Sequence, residues 1–221
     1  MSEPNKPQEP KIACLPNGPY YYFTDFTPKT VDKLQSSEGE ERACIRGIAL
    51  CRCGGSDNKP FCDGTHGKNG FVDKKITDGK LDKRMNFVGK KITIHDNRGI
   101  CAHIANCTNN LASVFRLNTE PWIDPDGAEL EKIINTIKKC PSGALSYTVG
   151  GSEHRDQDRE PMITVSKNGP YTVTGGIELL DQPRGEEAST EHYALCRCGG
   201  SENKPFCDGT HWKKKFKDEK N

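Results

Sequence analysis

The sixteen residues from Cys51 to His66, CRCGGSDNKPFCDGTH, are written a second time from Cys196 to His211, and the two phrases differ only at Asp57 against Glu202. Each phrase offers four metal-binding side chains: Cys51, Cys53, Cys62 and His66 in the first, Cys196, Cys198, Cys207 and His211 in the second. Three thiolates and an imidazole suit a soft tetrahedral centre. Gly54-Gly55 lets the chain turn tightly past the first two cysteines, and Pro60 fixes the approach to Cys62. Asp63-Gly64 reads as a helix start with free backbone N–H groups facing the site, which sets His66 one turn above Cys62 on the same face. Zinc sites usually pair cysteines at C-x2-4-C, so C-x-C is less usual for zinc. A C-x-C pair can hold one iron of a binuclear cluster, leaving Cys62 and His66 for the other. On spacing alone, both metals stay open.

The repeat extends upstream. Asn17-Gly18-Pro19-Tyr20 recurs as Asn168-Gly169-Pro170-Tyr171, Ile12 and Cys14 match Ile163 and Val165, and Ala49-Leu50 matches Ala194-Leu195. Phe71 and Phe216 each follow their histidine by five residues. The repeated unit is therefore a strand, an Asn-Gly-Pro turn, a second strand, a variable loop, a third strand and the cysteine phrase. The first copy carries extra loop residues around Lys33 to Arg42.

A different segment lies between the copies. "KITIHD" alternates as a strand, and Leu130, Ile133, Ile134 and Ile137 fall at helical spacing. Asp124-Pro125-Asp126 is expected to start that helix and Lys138-Lys139 to end it, with Cys140-Pro141 beyond. The polar stretch 150–160 reads as a linker. The expected organisation is a flexible N-terminus (1–10), a first module (11–75), a middle module (82–149), the linker (150–160) and a second copy of the first module (161–217).

Eleven cysteines, an odd number, and a polar N-terminus with no signal peptide favour metal-bound thiolates in a reducing compartment over a disulfide scaffold. A cytoplasmic location is the expectation. Mean hydropathy is −0.79, which argues against a membrane span. The net charge of +1 gives no reason to expect nucleic acid. The lysines from Lys213 to Lys220 read as a solvated tail.

The pattern C-x-C-x2-S-x3-P-x-C-D-G-T-H resembles the CDGSH iron–sulfur family, also called mitoNEET-like, with Thr65 and Thr210 where many members carry Ser. The NGPY strand and the trailing Phe resemble it too, and the likeness covers a little over half the chain. It implies a [2Fe–2S] cluster in each copy, with Cys51 and Cys53 (or Cys196 and Cys198) on the inner iron and Cys62 and His66 (or Cys207 and His211) on the outer. A single histidine ligand implies a potential above that of an all-cysteine cluster, and release of the cluster by acid. Lys59 and Lys204 are candidate donors to the cluster or its histidine. Many relatives are homodimers that share strands, so two copies in one chain are expected to form an intramolecular pseudo-dimer.

The middle segment, with "CAHIANC", "PWI" and "CPSGAL", resembles divergent single-cluster ferredoxins found fused to CDGSH domains. Cys101, Cys107 and Cys140 are the implied ligands, and Ile104 stands where a further cysteine is expected. Three thiolates suit [3Fe–4S]. A [4Fe–4S] cluster needs a fourth donor, for which His103 or solvent hydroxide are candidates, and a degenerate, empty site is the third reading. Cys14 is expected as a small buried apolar residue; Cys44 has no assigned role. The fold class is α+β: two small β-rich modules flanking a ferredoxin-like α+β domain.

The function these readings give is electron transfer by a monomeric iron–sulfur protein, with a redox partner protein. The alternatives are a carrier donating clusters to apo-proteins, and a redox-sensing or structural metal-binding module. No nucleotide fingerprint, catalytic triad or paired-carboxylate site appears, so enzymatic activity is not expected.

Overall fold

The structure, a computed structural model, describes residues 9–23, 31–45, 47–80 and 82–218, with backbone alone at 31–33 and 42–45. The expected flexible N-terminus falls almost wholly outside this set, as does the side chain of Cys44.

In the first copy, β1 (Lys11–Cys14) and β2 (Tyr20–Phe23) form a hairpin, followed by β3 (Val31–Ser36), β4 (Glu41–Ile45) and β5 (Ile48–Leu50). The middle segment contributes β6 (Arg84–Val88), β7 (Thr93–Asn97), the short helix α1 (Asn106–Asn110), α2 (Leu130–Ile137), β8 (Leu145–Val149) and β9 (Ser152–His154). The second copy adds β10 (Met162–Val165), β11 (Tyr171–Thr174), β12 (Glu178–Leu179), β13 (Tyr193–Leu195) and α3 (Thr210–Lys213). Both NGP turns put their asparagine in the left-handed region, Asn17 at φ 48° and Asn168 at φ 53°, where asparagine is tolerated better than most residues. The repeated sequence thus closes the same hairpin twice.

The sheets cross between the copies. One sheet runs β12-β1-β2-β5 and the other β13-β11-β10-β3-β4. β12 of the second copy pairs in parallel with β1, Ile12 opposite Leu179, and β3 of the first copy pairs in parallel with β10, Ile163 opposite Leu34. Each hairpin is therefore extended by a strand from the other copy. The inward residues of these strands, among them Ile12, Tyr20, Leu34, Ile163, Tyr171 and Leu195, form one core with contributions from both copies. The extra loop around Lys33 to Arg42 is the β3–β4 hairpin.

The middle segment has its own antiparallel sheet, β6-β7-β8-β9, with α2 packed on it. Ile133 and Ile137 are buried and Leu130 and Ile134 half-buried, as the helical spacing demands. Two expectations need correction. α2 begins at Leu130 rather than at Asp124-Pro125-Asp126, because Asp124 caps its own turn: its Oδ1 accepts from Asp126 N at 3.1 Å and its carbonyl from Gly127 N at 3.1 Å. Nor is 150–160 only a linker. Gly150 and Gly151, at φ 58° and 82°, form a tight turn, and Ser152–His154 return as the exposed edge strand β9 beside β8. Its polar composition is what an edge strand needs in order to stay unpaired on its far side.

Candidate metal centres

In the first copy the backbone builds the site before any metal is considered. Cys51 N donates to Pro60 O and Cys62 N to Ala49 O, both at 2.8 Å, which closes the loop at the end of β5. Ser56 Oγ donates to Phe61 O at 2.7 Å, and Asp63 accepts from Asp57 N at 2.8 Å and from Thr65 N at 3.0 Å. Hydrogen bonds from Thr65 and Asp57 hold the Asp63 carboxyl well below the usual carboxylate range. The tight turn at Gly54 (φ 78°) lets Gly55 N point at Cys53 Sγ, 3.4 Å away.

These constraints deliver the donors in two pairs. Cys51 Sγ and Cys53 Sγ are 3.9 Å apart, and Cys62 Sγ lies 3.3 Å from His66 Nδ1. Two donors sharing one tetrahedral metal at ~2.3 Å stand about 3.8 Å apart for sulfur–sulfur and a little less for sulfur–nitrogen. Each pair therefore has the span of one metal's ligands. Among the described residues no three His, Cys, Asp or Glu side chains gather around a single ion position. Two such pairs in one loop suit a binuclear cluster, one pair to each iron. The second copy repeats the set: Cys196 to Cys198 at 3.9 Å, Cys207 Sγ to His211 Nδ1 at 3.4 Å, and Gly200 N to Cys198 Sγ at 3.4 Å. Burial pushes the Cys51 thiol up to about 11 and the Cys207 thiol higher still, so these sulfurs hold thiolate charge best against a cation.

Lys59 and Lys204 do not reach the histidines. Each Nζ donates at 2.5 Å to the carbonyl three residues earlier, Ser56 O and Ser201 O, and so ties its own loop. The residues that sequence reasoning missed lie between and behind the ligands. Tyr20 Oη donates to Cys196 O and Pro205 O at 2.9 and 2.8 Å, and Tyr171 Oη to Cys51 O and Pro60 O at 2.8 and 3.0 Å. Each copy's tyrosine thus braces the other copy's cysteine loop. Arg197, within C-R-C, donates to Gly169 O and Ser166 O and pairs with Asp218, fastening the hairpin turn to the tail. Arg52 does the same with Leu15 O and Asp73. The signal was present, since Tyr and Arg recur at matching places in both copies.

The two loops abut. A Cβ on Gly54 would lie 2.7 Å from Cys198 O, and one on Gly199 would lie 2.3 Å from Cys53 O. Yet the sites differ in shelter. His66, Cys53 and Cys62 are half-buried, whereas His211, Cys198 and Cys207 are 4%, 5% and 3% exposed. The difference comes from the middle segment. Ala102 O lies 3.9 Å from Cys207 Sγ, the His103 ring packs on Gly209, and Trp212 Nε1 donates to His103 O at 2.8 Å. Ile104 joins Ala102, Ala194 and Cys207 in a small apolar cluster.

Cys101, Cys107 and Cys140 come together around one small cavity of about 30 Å³. Cys101 follows β7 and a short 3₁₀ turn, Cys107 lies in α1, and Cys140 closes the turn after α2, its N–H donating to Ile137 O at 2.8 Å. His103 (φ 51°) and Ala105 (φ 67°) take left-handed conformations that curl the chain between the first two cysteines. His103 N donates to Cys101 Sγ at 3.4 Å, and Arg98 Nη1 lies 3.6 Å from the same sulfur. Burial pushes the Cys101 thiol up to about 12 and raises Cys107, with Cys140 adding to both. Three thiols around a cavity, with N–H donors and a guanidinium at hand, fit a ferredoxin-type cluster. Of the other cysteines, Cys14 is half-buried against the shared core and unpaired in any disulfide.

Soft donors in tetrahedral pairs, repeated twice beside a cavity lined by three cysteines, define an iron–sulfur protein. Comparison with known families agrees. The profile described as "Iron-binding zinc finger CDGSH type" matches residues 17–67 and 168–212, and "Divergent 4Fe-4S mono-cluster" matches 87–150. The chain belongs to the CDGSH iron-binding family, in an arrangement where two such segments flank a divergent 4Fe-4S segment. The "Uncharacterized protein YjdI" of Escherichia coli strain K12 and that of strain O157:H7 are each 39% identical over 61 residues, 28% of this chain and 80% of theirs. No solved structure matches significantly. Among the described residues no helix is long and apolar enough to cross a membrane.

Proposed function

We propose that this chain is an electron-transfer protein with three centres: a [2Fe–2S] cluster on Cys51, Cys53, Cys62 and His66, a second on Cys196, Cys198, Cys207 and His211, and a ferredoxin-type cluster on Cys101, Cys107 and Cys140. When bound, such clusters supply one-electron redox chemistry. The observation that carries the reading is the seam between two sites. Cys101 lines the middle cavity, and the next residue, Ala102, touches Cys207 of the C-terminal site. An electron relay needs its centres in contact through protein, and a set of independent structural metal sites does not. The copies act as an intramolecular pseudo-dimer, supported by the exchanged strands and the reciprocal tyrosines. The working form is a cytoplasmic, non-enzymatic monomer with a protein redox partner.

The test is anaerobic purification followed by iron, sulfide and zinc analysis and EPR before and after reduction. About seven or eight irons with matching sulfide agree with three filled sites. Zinc without sulfide overturns the reading. Cluster donation is the second reading, favoured by the partly exposed His66. Incubation with an apo-ferredoxin separates the two: iron that moves faster than spontaneous decay supports donation, and electron exchange without iron movement supports relay.

A further inference from the structure

The middle segment matches a four-iron family and carries three cysteines, so one donor is unaccounted for. We propose that Asp96 is that donor, a carboxylate oxygen completing the set begun by Cys101, Cys107 and Cys140. The inference rests on the reading that the middle site holds a cluster.

Asp96 stands where β7 should present an apolar side chain. Two residues earlier on the same face, Ile94 is fully buried in the core of the middle segment. Asp96 is 1% exposed, and it lines the same cavity as the three cysteines. The Trp122 indole and Arg98 face it, but neither is aligned as a hydrogen bond on either oxygen. Its neighbours in the strand are buried too, but they are satisfied: His95 by Asn86 and Thr148 at 2.7 and 2.8 Å, Asn97 by Asp82, Glu186 O and Gly99 N. Only Asp96 is left wanting.

A buried carboxylate without donors is costly unless a cation faces it. Among the described residues Arg98 is the one side-chain cation paired with it, Nε 3.2 Å from Oδ2, and that contact is not aligned as a hydrogen bond. Arg98 is also shared. Its guanidinium lies 3.6 Å over the Trp122 ring and reaches toward Cys101 Sγ. One guanidinium cannot balance a carboxylate and three thiolates. An iron ion supplies what is missing, and oxygen donors are acceptable to it.

The other polar side chains that line the cavity have partners of their own: Ser142 Oγ lies 3.7 Å from Cys140 Sγ, and Asn106 Nδ2 donates to Lys139 O at 3.0 Å. The His103 ring packs on Gly209 of the C-terminal site, and Ile104, at the place of the expected cysteine, packs with Cys207.

The full chain is reconstituted anaerobically with iron and sulfide as wild type, Asp96→Asn and Asp96→Cys, then examined by iron analysis and EPR of the oxidised protein. The wild type is expected to hold about eight irons with a silent oxidised spectrum, two from each CDGSH site and four from the middle. Asp96→Asn is expected to lose one iron and gain the oxidised three-iron signal. Asp96→Cys is expected to restore the iron and the silence, which excludes misfolding as the cause. Eight irons retained in Asp96→Asn, or about seven in the wild type with the three-iron signal already present, overturns the assignment. About four irons in the wild type overturns it together with the reading of the middle site, and the CDGSH sites stand alone.

Discussion

Tyr20 and Tyr171 meet edge to face, ring centroids 6.0 Å apart, and each hydroxyl reaches past the shared core to two carbonyls of the opposite cysteine loop. Removing the Tyr20 hydroxyl takes a donor from Cys196 O in a dry place, while Pro205 O keeps the Cys196 N–H at 2.8 Å. Tyr20→Phe is therefore expected to cost about 1–3 kcal/mol in denaturant unfolding, and to loosen the C-terminal site rather than its own. Cluster-specific spectra of Cys62→Ser and Cys207→Ser backgrounds check which site responds. Glu191 is a second residue whose charge is committed to the fold. Burial alone would raise its carboxyl, but His192, Arg159 and Gly175 N hold it down to about 2. A carboxyl depressed in the folded state stabilises above its ordinary value near 4.5 and loses that contribution as pH falls toward 2. Glu191→Gln is expected to cost about 2–3 kcal/mol at pH 7 and progressively less as pH drops through that window. Equal losses at pH 7 and pH 3 in urea titrations would contradict this.

At the scale of elements, the two C-x-C-G-G loops press backbone against backbone. Gly199 has φ 71° as well as Cys53 O within 2.3 Å of any added Cβ, so Gly199→Ala is expected to cost about 3 kcal/mol or more. It should weaken both CDGSH sites together. Gly67→Ala, where nothing lies within 4 Å, is the matched control. Thermal loss of visible absorbance reads both. These loops also mark what was legible in the sequence. The ligand spacing, the glycine turns and the proline closures were read from sixteen residues because their constraints are local. α2 was read because four apolar residues fall at a helical period, while its start was misplaced because Asp-Pro-Asp serves a self-capped turn as well as a helix. β9 was hidden by its polarity, and β12 is two residues long with no pattern to see. Parallel pairing of β1 with β12 depends on contacts that no local window contains. Asp96 left a trace, a charge in the buried phase of an alternating strand, but its meaning needed the cavity beside it.

At the scale of the whole molecule, one segment covers one of two otherwise repeated sites. Chelation of iron from the intact protein is expected to show two CDGSH phases. The N-terminal phase should lead by roughly tenfold or more, the ratio that about 1.4 kcal/mol of extra local opening produces. A single phase in stopped-flow absorbance would show that the cover formed by Ala102 and His103 does not protect Cys207 and His211. The strand exchange carries a different consequence, one of timing. Lys11 is made 167 residues before its partner Glu178. At ~5–20 residues per second the first hairpin waits roughly 10–30 s for its neighbour. The middle segment, whose sheet closes between residues 84 and 154, has no such wait. Maturation therefore runs against the order of the chain: the middle segment is complete first, and the two copies that flank it are finished in the same moment, each by the other.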